Sequence, residues 1–279
     1  MAEKKNTNEQ IVNKILESIE TTNKLPWNAG WVRGGFPVNL TTGRRYNGIN
    51  ILMLWSRGFN KPMFATYKQI ADKGGQVKKG EKGTPIIYYN FIEKAETNEK
   101  TGDEKLKQVP FAKLSYAFNI SQTEGMVEQE VTGEHKDAET FISKLPAKII
   151  HGYDPCYAPK SDEVRVPLRS DVETEDRYYS VLFHELVHWT GAKGRMNREM
   201  SHKIEEYSFE ELVAEIGSAF LMAEFGLKPC EEQNAAYVKG WAERINSDKS
   251  MIIKAASQAS KAVEYLLNFS KDKAATGSE

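Results

Sequence analysis

The chain has 279 residues and a mass of 31.6 kDa, enough for two domains or one large one. With 40% hydrophobic and 28% charged residues, the composition is globular and excludes the disordered, collagen-like and low-complexity classes. The formal net charge of -1 hides an asymmetry: residues 1–125 carry 19 Lys/Arg against 12 Asp/Glu, and residues 126–279 carry 19 against 27. A basic part joined to an acidic one fits a first part that meets a polyanion and a second with a different task. No apolar run exceeds residues 51–55, far short of the roughly 20 needed to span a bilayer. The N-terminus has no hydrophobic h-region. The expectation is a cytoplasmic protein with no membrane partner, in which Cys156 and Cys230 are free thiols.

In chain order, a helix is expected over residues 7–22, where Ile11, Ile15, Leu16 and Ile19 fall at helical spacing. Leu25-Pro26-Trp27 ends it, and a Gly- and aromatic-rich loop follows through Trp31 to Pro37. Tyr46-Asn47-Gly48 reads as a turn feeding a buried helix that reaches Trp55. Strands are expected at 64–66, 84–92 and 109–120 from their Ile, Tyr, Phe and Val content, with the polar residues 93–107 as an exposed hairpin tip. Residues 122–136 are polar, contain Gly125 and Gly133, and coincide with the change of charge sign. This places a first domain at 1–125, a linker at 126–136 and a second domain at 137–279. In the second, residues 163–167 alternate like an edge strand. Residues 176–190 read as a helix with acidic residues at its start. Helical patterns follow at 207–221, 235–245 and 251–269, and the tail from 271 is expected to fray.

His184-Glu185-Leu186-Val187-His188 is the sharpest signal. Positions i and i+4 share one face of an α-helix, so both imidazoles can reach a single tetrahedral metal. Glu185 then sits beside the open coordination position as general base. The bland alternative is a pair of satisfied histidines on a buried helix. A catalytic zinc site needs a third protein ligand, which in the glutamate class comes from a later helix. Glu211 and Glu215 lie one turn apart on one face. One can bind the metal while the other accepts the second N–H of a ligating histidine. Their Glu-x-x-Ala-Glu arrangement resembles gluzincin-type metallopeptidases, which implies Glu211 as ligand and Glu215 as the residue behind a histidine. Zinc is the expected ion, with manganese the alternative. Tyr207 is a candidate donor to an oxyanion, or else a packing residue. Residues 163–167 would line the cleft and pair with an extended peptide. His151 and His202 read as surface residues.

The basic half holds 14 Phe, Tyr and Trp residues. Trp27, Trp31, Tyr46, Trp55 and Tyr67 lie close in sequence to Arg44, Arg45, Lys61 and Lys68. Aromatic faces stack unpaired bases while cations neutralise phosphates, which is what single-strand binding requires. Residues 73–83 place Lys73, Lys78, Lys79 and Lys82 among four glycines, in a loop able to approach a phosphate closely.

Several segments now combine: Arg45-Tyr46-Asn47-Gly48-Ile49-Asn50, the loop at 74–83, Phe118-Asn119-Ile120-Ser121-Gln122, the His-Glu-Leu-Val-His pentad and Glu210-Glu211-Leu212-Val213-Ala214-Glu215. In this order they resemble the ArdC-type antirestriction proteins carried by plasmids and other mobile elements. The resemblance implies an α+β chain of two domains. The first would be a mixed α/β single-stranded-DNA-binding domain with a small antiparallel sheet, similar to the N-terminal region of a plasmid-encoded DNA primase. The second would be a mainly helical zincin-like metallopeptidase domain. A role in protecting incoming DNA from host restriction during transfer is implied, with single-stranded DNA and a host protein substrate as partners. By position, His184, His188 and Glu211 would bind the metal and Glu185 would be catalytic, while Tyr46, Asn47, Lys78, Lys79 and Lys82 fall in the N-terminal motifs. A binding protein that coats single strands around a structural or vestigial metal site is the alternative, and a nuclease or other metal hydrolase is a third reading.

Overall fold

Helix α1 (Thr7–Thr22) forms where apolar spacing expects it, because Ile11, Val12, Ile15 and Ile19 make one stripe and all are buried. The structure, a computed structural model, describes residues 7–28, 35–97, 104–127, 137–198, 204–228 and 234–270. Trp31, His202, Cys230 and most of the expected linker lie outside that set.

After the short strand β1 (Val38–Asn39), Gly48 takes φ 55, a backbone state that favours glycine, and opens helix α2 (Ile49–Trp55). Every residue of α2 is buried. Asn50 fastens it to the sheet, since its side chain donates to the Ile87 carbonyl and accepts from the Ile87 N–H, each at 2.8 Å. Strand β2 (Met63–Thr66) leads into helix α3 (Tyr67–Asp72), closed by reciprocal bonds between Thr66 and Gln69. Strands β3 (Gln76–Val77), β4 (Thr84–Thr97), β5 (Glu104–Asn119) and β6 (Thr123–Glu124) complete this half. The main sheet has the order β1-β2-β5-β4, and β3 pairs with β6 apart from it. The β4–β5 ladder runs from Thr84↔Ala117 out to Thr97↔Glu104. Residues 93–97 and 104–107 of the polar stretch expected as an exposed hairpin tip are therefore paired strand, because a ladder is sustained by backbone groups that polar residues leave free to bond.

The second half begins with helix α4 (Ala138–Ser143) and strands β7 (Lys148–His151), β8 (Cys156–Ala158) and β9 (Glu163–Val166). Their order is β7-β9-β8, which corrects the expectation of an edge strand at residues 163–167. Val164 and Val166 are fully buried while Glu163 and Arg165 pair with each other at 2.9 Å. That alternation marks a strand with one solvated face, and it is the same at the centre or the edge of a sheet. Helices α5 (Glu175–Thr190), α6 (Ile204–Glu224), α7 (Ala235–Ser247) and α8 (Lys249–Asn268) follow.

The two oppositely charged halves share one core. The largest apolar cluster runs from Ile11 and Leu52 in the first half to Phe220, Ala256 and Leu266 in the second. Phe220 of α6 packs against Phe36 and Trp55, with ring centroids at 5.7 and 5.5 Å. Ala255, Ala256, Ala259 and Ala262 are fully buried on α8, a small-residue face against which neighbouring helices lie closely. No helix among the described residues is long and apolar enough to cross a membrane.

Candidate metal centre

The Thr174 side chain caps α5 by accepting the Arg177 N–H at 3.1 Å, with Glu175 and Asp176 in the first turn. The i, i+4 spacing then turns His184 and His188 toward α6. How closely the helices cross depends on Gly217, where an added Cβ would lie 2.7 Å from Cγ2 of the fully buried Val187. Three donors meet at this crossing. His184 Nε2 lies 3.1 Å from His188 Nε2, and the Glu211 carboxylate oxygens lie 3.5 Å from the first and 3.4 Å from the second. All three donor atoms fall within 4.8 Å of one another. Two imidazole nitrogens and one carboxylate oxygen form a donor set suited to a divalent ion such as zinc, so these residues fit a metal.

Glu185 is 6% exposed. Burial raises its pKa, against the pull of His184, His188 and the backbone N–H of Tyr157. Tyr157 belongs to β8, one of the two outer strands of its sheet, so β8 rather than residues 163–167 borders the site. The cleft beside the metal residues holds about 360 Å³ and includes His184, Glu185, Glu215 and Tyr237 in its walls.

The partner of the histidine differs from the one expected. His188 Nδ1 lies 3.2 Å from Oε1 of Glu210, which is 4% exposed. Arg198 grips that carboxylate with Nε at 2.9 Å and Nη2 at 2.8 Å, and also donates to Thr190 Oγ1 at 2.8 Å. Burial alone would raise the Glu210 pKa, but Arg198 and His188 overcome it and hold the group ionised. Burial likewise opposes the charge on His188, yet Glu210 and Glu211 push its pKa up to about 9. A cation held there would take the place of that proton. Glu215 faces elsewhere: its Oε1 accepts from the Tyr237 hydroxyl at 2.6 Å. Burial and the Glu215 charge raise the phenol's pKa. Tyr207 lies in the first turn of α6, but its side chain is outside the described residues.

In the basic half, Trp27 is fully buried with its ring edge-on to Trp241 at 6.5 Å, so it presents no face to a base. Hydrophobic burial overrides the stacking role expected of it. Tyr67 is 64% exposed beside Phe118, and Tyr116, which sequence reasoning did not single out, is 51% exposed. An added Cβ at Gly83 would lie 2.9 Å from Tyr116 and 3.0 Å from the Phe118 ring, which brings the Lys82 loop against these aromatics. Lys78, Lys79, Lys82, Arg44 and Asn47 are exposed, and Lys78 Nζ donates to the Ser121 carbonyl at 2.9 Å. Tyr46 is half-buried edge-on to Phe64. Arg45 lies over the Phe36 ring at 5.0 Å and pairs with Glu224.

Among the residues that sequence reasoning missed, Glu210 alone left a signal. It adjoins Glu211, and the pair is flanked by Phe209 and Leu212. Arg198 and Tyr237 sit in segments with no motif.

Two family models match successive stretches of the chain. Residues 5–118 match the N-terminal domain of anti-restriction factor ArdC, and residues 136–258 match a zincin-like metallopeptidase. The crystal structure of metal-free antirestriction ArdC protein from the R388 plasmid is 35% identical, with TM-score 0.78 over 94% of this chain and 97% of that one. The Mn(II)-bound structure of that protein gives 33% and 0.77, covering 95% of this chain and 98% of that one. A DNA primase TraC of Escherichia coli is 35% identical over 96% of this chain, but the match spans only 28% of the primase. The uncharacterized protein y4eC of Sinorhizobium fredii is 29% identical, with 92% of this chain and 90% of that protein covered.

Proposed function

The chain belongs to the ArdC-type antirestriction proteins, and on that footing we propose that it binds single-stranded DNA through its basic half and cleaves a protein at a zinc site in its acidic half, guarding DNA that enters a cell. The convergence of His184, His188 and Glu211 within 4.8 Å, beside a buried Glu185, carries this reading. Manganese is the alternative ion, since the R388 relative has been seen with Mn(II). An ion held by the three residues supplies a Lewis acid for a scissile carbonyl. Glu185, made more basic by desolvation, takes a proton from the attacking water on its side-chain carboxylate and returns it to the leaving amine. Glu210, braced by Arg198, holds the His188 ring in one orientation and fixes its tautomer. Strand β8 offers an outer backbone edge beside Glu185 for an extended peptide. On the other half, the exposed rings of Tyr67 and Tyr116 next to Lys82 support stacking of unpaired bases near cations.

Glu185→Gln tests the chemistry. Cleavage of an unfolded protein substrate falls by roughly 10²–10⁴-fold, while metal content and binding to oligothymidine stay at wild-type levels. A variant that cleaves as well as wild type would sink the peptidase reading. Undiminished protection of transferred DNA by a cleavage-dead variant would assign protection to DNA binding alone.

A further inference from the structure

A cleft of about 920 Å³, which shares no wall residue with the metal cleft, lies along the seam between the two halves. One wall is the turn that carries Arg45, Tyr46 and Asn47. The facing wall is the solvent side of α8, with Lys254, Ser257 and Lys261 all exposed. Phe36, half-buried, contributes apolar floor, with the buried Phe220 packed behind it. The walls touch at one end, where the Gly48 N–H donates to Ser260 Oγ at 2.9 Å. Glu264 adds one carboxylate at the rim. Lys254 and Lys261 stand two turns apart, about 10 Å along the helix, and neither forms an ion pair among the described residues.

We propose that this cleft is a second binding site for single-stranded DNA, in which phosphates meet Lys254 and Lys261 of α8 while a base enters toward Tyr46 and Phe36. The proposal rests on the single-strand reading above and extends it, because it makes a helix of the metallopeptidase half part of the DNA surface. An apolar, aromatic floor beneath a cationic rim suits an unpaired nucleotide, whose base face is free, better than a duplex, whose bases are stacked away. The size falls in the range of sites that enclose small ligands. It also gives a role to Arg45, Tyr46 and Asn47, which form no part of the metal cleft's walls: Glu224 and the Phe36 ring hold Arg45 at the mouth.

The test uses the full chain and labelled oligothymidine, with anisotropy read over a series of salt concentrations. Lys254→Gln/Lys261→Gln should weaken binding about tenfold and flatten the slope of log K against log salt by roughly 1.4, about 0.7 for each phosphate no longer neutralised. Ser257→Trp, which fills the cleft without changing charge, should weaken binding and leave the slope alone. Metal content and thermal melting of both variants should match wild type, since all three positions are exposed. Wild-type affinity and slope in both variants would overturn the proposal and leave the cleft to an occupant other than nucleic acid. A wild-type protein that fails to bind oligothymidine would instead remove the single-strand reading on which it rests.

Discussion

The two halves use their motif residues in opposite ways. In the acidic half the quoted motifs deliver side chains to one point: His184, His188 and Glu211 converge, with Glu185 beside them. In the basic half the motifs mainly build the frame. Asn50 clamps both backbone groups of Ile87. Asn119 donates to the carbonyls of Lys61 and Met63 at 2.7 and 3.2 Å. Gln122 accepts the Asn119 N–H at 2.8 Å and donates to the Lys82 carbonyl at 3.1 Å. A polar residue inside an apolar stretch must satisfy its hydrogen bonds, and it can do so with its own backbone or with a ligand. Histidines and carboxylates that face one another leave room for a ligand; amides that face a strand end or a turn do not.

The largest effect expected is on the metal. Glu211→Ala should remove essentially all bound ion, measured by mass spectrometry on the purified protein, whereas Glu215→Ala should retain about one ion per chain, since a catalytic site needs three protein ligands and Glu215 faces Tyr237. Loss in the second variant and retention in the first would reverse the ligand assignment. Next comes Asn50→Ala, which strands two buried backbone groups at about 1–3 kcal/mol each. Denaturant unfolding should show a destabilisation of that order, and the folded fraction should bind oligothymidine as wild type does. Weakened binding by the folded fraction would make Asn50 a contact residue and erase the contrast between the halves.

Much of this was legible in the sequence, for reasons that differ between elements. Helix α1 follows from a stripe that repeats at helical spacing from Ile11 to Ile19. The pentad was legible because i, i+4 spacing fixes a face independently of what the rest of the chain does. The order β7-β9-β8 was not, since β9 pairs parallel with one neighbour and antiparallel with the other, and no local pattern encodes which strands flank it. The histidine partner was missed because i, i+4 spacing on a single face of α6 pairs Glu211 with Glu215 and passes over Glu210. His188 is contacted from two sides at once, by Glu211 at Nε2 and by Glu210 at Nδ1, so adjacent residues serve the two ring nitrogens. Arg198 lay beyond any local rule. It follows Asn197, whose φ of 52 turns the chain back toward α5, a turn visible only once the helices are packed.

That arrangement makes Glu210→Gln the next test in size. The amide keeps the shape but removes the charge facing Arg198, whose side chain is only 5% exposed. Second partners of metal-binding histidines typically contribute 10–100-fold in metal affinity, and a competitive chelator titration should find a reduction in that range with the ion still bound at saturation. Wild-type affinity would mean that Glu210 serves the Arg198 loop alone.

The smallest effect sharpens the contrast within the basic half, between two aromatics that sequence reasoning treated alike. Trp27→Phe removes an indole that is fully buried against Trp241; it should lower the melting temperature and leave oligothymidine affinity unchanged. Tyr67→Ala removes a ring that is 64% exposed beside Phe118, and it should leave the melt nearly unchanged. Stacking on one base is worth about 1–3 kcal/mol, and Tyr67 should fall at the low end because Phe118 and Tyr116 remain as neighbouring surfaces. The discriminating quantity is therefore the sign of the difference between the two variants in each assay. Were Trp27→Phe to weaken DNA binding while Tyr67→Ala did not, the stacking surface would have to lie toward α7 of the metal half, and the surface formed by Tyr67 of α3 and Tyr116 of β5 would lose its assignment.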